Sequence, residues 1–469
     1  MGYSKLSALE FISEAGAGQA DQGEFYVELF SELARLNEMY GFLITIAEVR
    51  PDKAKGKLAG LPVSVKDCIC TRGIQSTAGS RILEGYVPPF DATCISRIKA
   101  EGAEIIGKTA QDEFGFGTFS TNSGFRVPKN PIDPSRSCGG SSGGAAGLTK
   151  ALGMPHIALS ESTGGSISCP ASFCGVVGLT PTYGLVSRYG LIDYANSLDK
   201  IGPIGRTVED VALMLSVIAG HDPMDQTSIA CEKQGYLEQL EHASARGLRI
   251  GVPREYFGEG VDPEVSERVW KGIKSLEAEG ATYKEMSLPT TSYSIPAYYI
   301  IATAEASTNL AKYCGMRYGR EDKVEGEFNE YFSRIRSRYL GDEAKRRILL
   351  GTFARMAGHR DQYYLKAMKV RSLIINDFRR AFKGCDVLIA PTMPVVAPKF
   401  TEIEKLTPLE TYMMDILTVA PNLAGIPMLS LPCGEAHNMP VGMHIMGGHL
   451  QEATVLRAGK AFEGSRRRP

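Results

Sequence analysis

The sequence predicts a mixed α/β fold built as one large domain, and three observations carry that expectation. Apolar strands at 248–252 and 386–390 are separated by long helical patterns at 265–279 and 366–382. Nearer the start, a helical stretch at 92–101 runs into a short strand at 104–108, the pattern of an α/β unit. No internal repeat, low-complexity block or Pro/Gly linker divides the 469 residues, so a single domain over 1–469 is preferred to several.

Taken in chain order, residues 1–50 read as a helical lead-in, because Phe25, Leu29, Phe30, Leu33, Leu36 and Tyr40 recur at helical spacing over 24–40. Leu61-Pro62-Val63-Ser64-Val65-Lys66 then alternates. Leu61, Val63 and Val65 face one way, and Lys66 ends the strand pointing the other. Residues 115–147 are dominated by Gly, Ser, Thr, Asn and Pro and read as a long loop region, which in a compact domain is usually functional.

Bulk chemistry narrows the partners. Hydrophobic residues make up 43% and charged residues 22%, the balance of a globular chain with a substantial core. Lys plus Arg number 52 against 53 Asp plus Glu, so no global field favours nucleic acid or anionic membrane, and any such contact must be local or supplied by a partner. The one dense basic run, Arg466-Arg467-Arg468, reads as a solvated tail. Residues 1–10 lack the apolar core of a signal peptide, Leu6 stands where a myristoylation motif needs Ser or Thr, and no apolar run reaches membrane-spanning length. A cytoplasmic protein is expected, with its ten cysteines reduced. Cys68 and Cys70, like Cys169 and Cys174, lack zinc-finger spacing, so no metal site is expected.

Two glycine-flanked serine clusters carry the chemistry: Cys138-Gly139-Gly140-Ser141-Ser142-Gly143-Gly144 and Ser162-Thr163-Gly164-Gly165-Ser166-Ile167-Ser168. Glycines beside a serine let main-chain N–H groups converge on a ligand, as an oxyanion site for acyl transfer requires. The amides of Thr163, Gly164 and Gly165, just before Ser166, are placed to surround the carbonyl that Ser166 attacks. A nucleophile elbow is not expected at Gly140-Ser141-Ser142-Gly143-Gly144, because Pro131 and Pro134 bar a ladder strand ahead of it. Gly147-Leu148-Thr149-Lys150 likewise breaks a phosphate-binding loop. The seven histidines fall in no motif and read as surface or satisfied core residues, so the base for a serine is sought in a lysine whose burial among neutral hydrogen-bonding groups lowers its pKa. Lys66, at a strand end, is the best-placed one.

Read in order, Val65-Lys66-Asp67, Gly139-Gly140-Ser141-Ser142-Gly143-Gly144 and Thr163-Gly164-Gly165-Ser166 resemble the amidase-signature family over nearly the whole chain. The resemblance implies a mixed central β-sheet covered by helices on both faces, with a signature core over 55–220 and the remaining sheet, helices and pocket residues over 221–469. It maps Ser166 to the nucleophile, Ser141 to a bridging serine behind a cis peptide, and Lys66 to the base. Longer stretches, among them Cys174 to Gly184, Glu305-Ala306-Ser307-Thr308-Asn309-Leu310 and Asn422-Leu423-Ala424-Gly425-Ile426-Pro427, resemble the branch that supplies the glutaminase component of tRNA-dependent amidotransferases.

That branch implies free glutamine held by Arg347 on its α-carboxylate, with Arg346 as the alternative, by Asp415 on its α-amino group, and by Tyr298 lining the pocket. Glu113 falls where the branch has an acidic residue near the ammonia path. It also implies partner B and C subunits, ATP and Mg²⁺ in the B subunit with no cofactor in this chain, and mischarged aminoacyl-tRNA held mainly by the partner. The alternatives are a stand-alone amidase on small amides and a non-catalytic scaffold subunit. Ser162 and Ser168 stand where the pattern has Asp and Arg, Cys138 where it commonly has Pro, and the serine interval, 166 − 141 = 25, is one longer than the pattern.

Overall fold

The computed structural model describes residue 3 and residues 6–18, 21–49, 55–232 and 234–467, the last without its side chain. Part of 1–10 and part of the basic run at 466–468 therefore lie outside the described residues. Eleven strands form one sheet: β1 (Leu43–Ile46), β2 (Pro62–Lys66), β3 (Glu104–Thr109), β4 (Ile157–Ser162), β5 (Val177–Thr180), β6 (Lys200–Gly205), β7 (Arg249–Pro253), β8 (Thr282–Met286), β9 (Val387–Pro391), β10 (Met428–Ala436) and β11 (Met439–Gly447). Their order is β1-β3-β2-β4-β6-β5-β10-β11-β9-β7-β8. The sheet is mixed, as expected. β2 runs parallel to β3 and β4, and β7 parallel to β8 and β9, while the central pairs from β4 to β9 are antiparallel.

Parallel neighbours need a crossover, and helices Thr93–Ala100 and Pro263–Ala278 supply it between β2 and β3 and between β7 and β8. β2, β4, β5, β6, β9 and β11 are buried at every position, so both faces of the sheet are covered. The edge strands β1 and β8 show exposed positions.

Helices Ala8–Gly16 and Gln22–Tyr40 occupy the lead-in, each opened by a side-chain cap, Ser7 on the Glu10 amide and Asp21 on the Glu24 amide. The lead-in is not helical throughout. Gly41, at φ 75°, ends the second helix in the left-handed region, and Leu43–Ile46 turns back as β1, antiparallel to β3. The loop expected over 115–147 also ends early, because helix Gly143–Ala151 begins inside it.

Helix Asp342–Arg355 crosses helix Ser294–Asn309 closely enough that a Cβ on Gly351 would lie 1.8 Å from the Thr303 carbonyl oxygen. Backbone cannot yield there as a side chain would. Gly351→Val is expected to cost about 3 kcal/mol, more than any gain in helix propensity offsets. Thermal melting checks this; an unchanged Tm contradicts the close crossing.

Candidate active site

Three chain segments converge at the carboxyl end of β2 and β4. Lys66 closes β2 with no exposed surface. Its Nζ lies 2.7 Å from Ser141 Oγ, 2.9 Å from the Glu161 main-chain oxygen and 2.9 Å from Glu161 Oε2. The expectation of neutral surroundings for this lysine is thus corrected: a carboxylate from β4 pairs with it, both side chains being essentially buried.

Ser141 follows a cis peptide with Gly140. Only glycine fits at 140, since a Cβ there would lie 2.3 Å from Asp112 Oδ2 and 2.7 Å from the Phe119 and Ser120 nitrogens. Asp112 organises this crowding. Its carboxylate accepts from the amides of Ser120 and Asn122, both at 2.9 Å, and its own amide donates to the Ser141 oxygen at 3.3 Å. Burial pushes the Asp112 carboxyl up to about 6.

Ser166 sits in the turn between β4 and helix Ser168–Cys174 and is 7% exposed. Its main-chain oxygen accepts from the Ser142 amide at 3.2 Å, and Ser142 Oγ donates to the Glu161 oxygen at 3.2 Å, which ties the two serine clusters together. Among the described residues the Ser166 hydroxyl makes no hydrogen bond, and neither do the amides of Gly164 and Gly165. These glycines admit a close cover: a Cβ on Gly164 would lie 2.9 Å from Tyr298 Oη, and one on Gly165 2.5 Å from Thr418 Oγ1. The Thr163 carbonyl accepts from Asn422 Nδ2, which anchors the turn.

Ser162 and Ser168 are both buried. Ser162 Oγ donates to the Gly164 carbonyl at 3.1 Å, while Ser168 Oγ has no partner among the described residues. Beyond the serines, Thr163 Oγ1 lies 2.8 Å from Glu161 Oε1 and 2.7 Å from Asp199 Oδ1. Asp199 Oδ2 accepts from the amides of Tyr194 and Ala195 at 3.1 and 3.0 Å. Sequence reasoning misses Glu161, although a charge two residues before Thr-Gly-Gly-Ser on a strand buried at every position is itself a signal.

A second group lies alongside. A cavity of about 250 Å³ is lined in part by Thr118, Phe119, Asn122, Arg346, Arg347 and Tyr412. Arg347 is buried and Arg346 has a side chain 45% exposed, so helix geometry separates the two adjacent arginines. Arg347 Nε donates to Glu343 Oε1 at 2.8 Å, and its guanidinium lies 4.9 to 5.4 Å from the ring centres of Phe116, Tyr299 and Tyr412. That aromatic cage leaves the Nη edge for an anion. Asp415 Oδ2 accepts from Tyr299 Oη at 3.0 Å and from Thr118 Oγ1 at 3.1 Å, and burial pushes its carboxyl up to about 6.

Tyr298 is buried over Gly164 with its hydroxyl 3.0 Å from that of Tyr194. Glu113 stands apart from the cavity, accepting from Ser80 Oγ at 2.5 Å and from the Gly341 amide at 2.9 Å, and burial pushes it up to about 7. Two residues on, a Cβ at Gly115 would lie 3.4 Å from Ser141 Oγ, so this turn walls the serine site.

No histidine hydrogen-bonds to Lys66, Ser141 or Ser166 among the described residues. His156 Nε2 pairs with Ser64 Oγ at 2.8 Å. His444 departs from the expectation of a satisfied core residue: it is fully buried with both ring nitrogens unpartnered among the described residues, and burial pushes it down to about 3, so it stays neutral. The ten cysteines are free thiols, and no described helix is long and apolar enough to cross a membrane.

Lys66 and the two serine clusters thus lie together at the ends of β2 and β4, and the chain belongs to the amidase-signature family: the Amidase family model matches residues 43–456. Its relatives are specific. The A subunit of the Glutamyl-tRNA(Gln) amidotransferase of Desulforamulus reducens is 46% identical over 459 residues, covering 98% of this chain and 94% of that protein. That of Carboxydothermus hydrogenoformans is 51% identical over 408 residues, covering 87% and 84%. The crystal structure of the corresponding Glutamyl-tRNA(Gln) amidotransferase protein from Thermotoga maritima superposes with a TM-score of 0.84 at 37% identity, covering 99% of this chain and 95% of that one.

Proposed function

We propose that this chain is the glutamine-hydrolysing subunit of a tRNA-dependent amidotransferase. The observation that carries the reading is the 2.7 Å bond from Lys66 to Ser141, together with a Ser166 hydroxyl that makes no hydrogen bond among the described residues. Ser166 Oγ attacks the side-chain carboxamide carbon of glutamine while its proton leaves through Ser141 toward Lys66. The amides of Thr163, Gly164 and Gly165 face the negative charge that develops on the carbonyl oxygen. Collapse expels ammonia and leaves a γ-glutamyl ester on Ser166, which water then hydrolyses by the same route. Arg347 takes the α-carboxylate and Asp415 the α-ammonium, charge types that suit each partner, with Tyr298 closing over the acyl group.

Released ammonia passes the Glu113 wall to a B subunit, which activates mischarged Asp-tRNA(Asn) or Glu-tRNA(Gln) with ATP and Mg²⁺, while a C subunit braces the pair in the cytoplasm. The near-neutral charge of this chain supports tRNA being held by the partner. Leu349, Leu350, Phe353 and Met356, exposed on and just beyond the helix that carries Arg347, support a docked partner.

Reconstitution with candidate B and C subunits tests the reading. Glutamine-dependent and ammonium-dependent amidation of both mischarged tRNAs are compared. A scaffold would use ammonium and ignore glutamine, and a stand-alone amidase would work fully without partners; either outcome rejects the proposal.

Asp415 adds a pH signature. A carboxyl raised to about 6 by burial is charged above that pH and neutral below it. An ammonium group binds only the charged form, so KM for glutamine is expected to rise as pH falls through about 6. Steady-state kinetics from mildly acidic to mildly alkaline pH would check this, with Asp415→Asn flattening the dependence at a higher KM.

A further inference from the structure

We propose that Glu161 is the proton acceptor for Lys66, so that the base of this site is the Lys66–Glu161 pair rather than an isolated neutral lysine. The inference rests on the serine-amidase reading above and assigns to that site a positioning residue which the serine–serine–lysine scheme lacks.

Counting protons leads to it. Thr163 has one hydroxyl proton and two carboxylate oxygens within reach, Glu161 Oε1 at 2.8 Å and Asp199 Oδ1 at 2.7 Å. Both contacts are hydrogen bonds only if one of the two acids is protonated and donates to Thr163 Oγ1. Asp199 is that acid: burial, and next the charge of Glu161, push it well above the usual carboxylate range. Thr163 then donates to Glu161, whose other oxygen accepts from Lys66. Glu161 is thus the charged member, gripped on both oxygens, and Lys66 Nζ has as many acceptors as an ammonium has protons: Ser141 Oγ, the Glu161 main-chain oxygen and Glu161 Oε2.

An ammonium with all three protons engaged has no lone pair for Ser141. It gains one when a proton moves along the existing 2.9 Å hydrogen bond to Glu161 Oε2. Rotation about Cε–Nζ turns the lone pair onto Ser141 Oγ, Lys66 takes the Ser141 proton, and Ser141 takes that of Ser166 as Oγ bonds to the carbonyl carbon. The net change is one proton moved from Ser166 to Glu161, with Lys66 again an ammonium and Ser141 again a hydroxyl. On collapse the proton returns by the reverse route to the departing nitrogen, which leaves as ammonia, and hydrolysis of the ester repeats the cycle with water. The other ionisable groups facing the pair are Cys68 after β2, Asp112 after β3, Tyr194 and Asp199 before β6, and Tyr298 from the helix above.

The test reads Ser166 itself. Sulfonylation of Ser166 by a small sulfonyl fluoride, with Ser166→Ala as blank, reports nucleophile activation whether or not glutamine is the substrate, so failure of the glutaminase reading leaves this measurement intact. With a paired base, labelling is lost at low pH when the pair takes up a proton. Glu161→Gln leaves Lys66 to titrate alone, so the acid limb of the labelling rate moves to higher pH, and the rate at neutral pH falls about 100-fold and recovers toward alkaline pH. Glu161→Asp, which keeps a carboxylate, retains a limb at low pH. If Glu161 merely holds Lys66 charged, removing it eases loss of the ammonium proton and the limb moves to lower pH; that result, or an unmoved limb, overturns the proposal. A wild-type limb already in the amine range overturns it without any variant.

Discussion

Ser166→Ala is expected to lower kcat for glutamine hydrolysis about 10⁶-fold, the scale lost when a serine nucleophile is removed from a site whose parts act as a unit. The change deletes one oxygen from a residue that is 7% exposed and whose hydroxyl makes no hydrogen bond among the described residues, so folding has no reason to suffer. The main-chain bond from Ser142 to the Ser166 carbonyl remains. Ammonium-supported amidation by the assembled complex is therefore expected to continue, because ammonia supplied from solution bypasses the missing step. The measurement is ammonia release from glutamine alongside tRNA amidation with either nitrogen source. Residual glutaminase activity above about one part in 10³ would remove Ser166 from the nucleophile role, whereas joint loss of both amidations would point to a damaged complex.

How far this site can be read from sequence depends on the range of the forces that set it. β2 is legible because strand alternation is local: Leu61, Val63 and Val65 against Ser64 and Lys66 give the strand and its last residue. The helix starting at 143 is not. Gly143, Gly144 and Gly147 read as loop by propensity, yet a Cβ on Gly144 would lie 2.4 Å from the Phe42 oxygen and one on Gly147 2.3 Å from the Phe42 ring. These glycines serve a close tertiary approach, which overrides propensity. β1 merges into the lead-in because four residues after a helix give too short a period to resolve. Two adjacent arginines cannot be told apart by their neighbours in sequence, but the turn of the helix directs Arg347 inward and Arg346 out. Glu161 escapes because its partner Lys66 is 95 residues away on a neighbouring strand, and only the parallel pairing of β2 with β4 brings them together.

That same pairing makes Lys66→Met the most damaging single change expected for the fold around the site. Methionine matches the stem of lysine, so packing is nearly kept, but Glu161 is left with its charge buried and, among the described residues, only Thr163 to donate to its carboxylate. Breaking a buried ion pair from one side costs about 3–5 kcal/mol, because the remaining ion keeps its desolvation penalty and loses its partner. Removing both charges costs less: in Lys66→Met/Glu161→Gln the glutamine amide still accepts from Thr163, and stability is expected within about 1–2 kcal/mol of wild type. Activity separates from stability in this pair of variants. Neither has a group to receive the Ser141 proton, so glutamine hydrolysis and Ser166 sulfonylation are expected to be lost in both, although the double variant folds well. Thermal melting and labelling on the same samples check both halves. A double variant as unstable as the single one would mean that the buried pair is not what Lys66 contributes to the fold. A double variant that regains labelling would mean that the proton leaves Ser141 by a route that avoids Lys66 altogether.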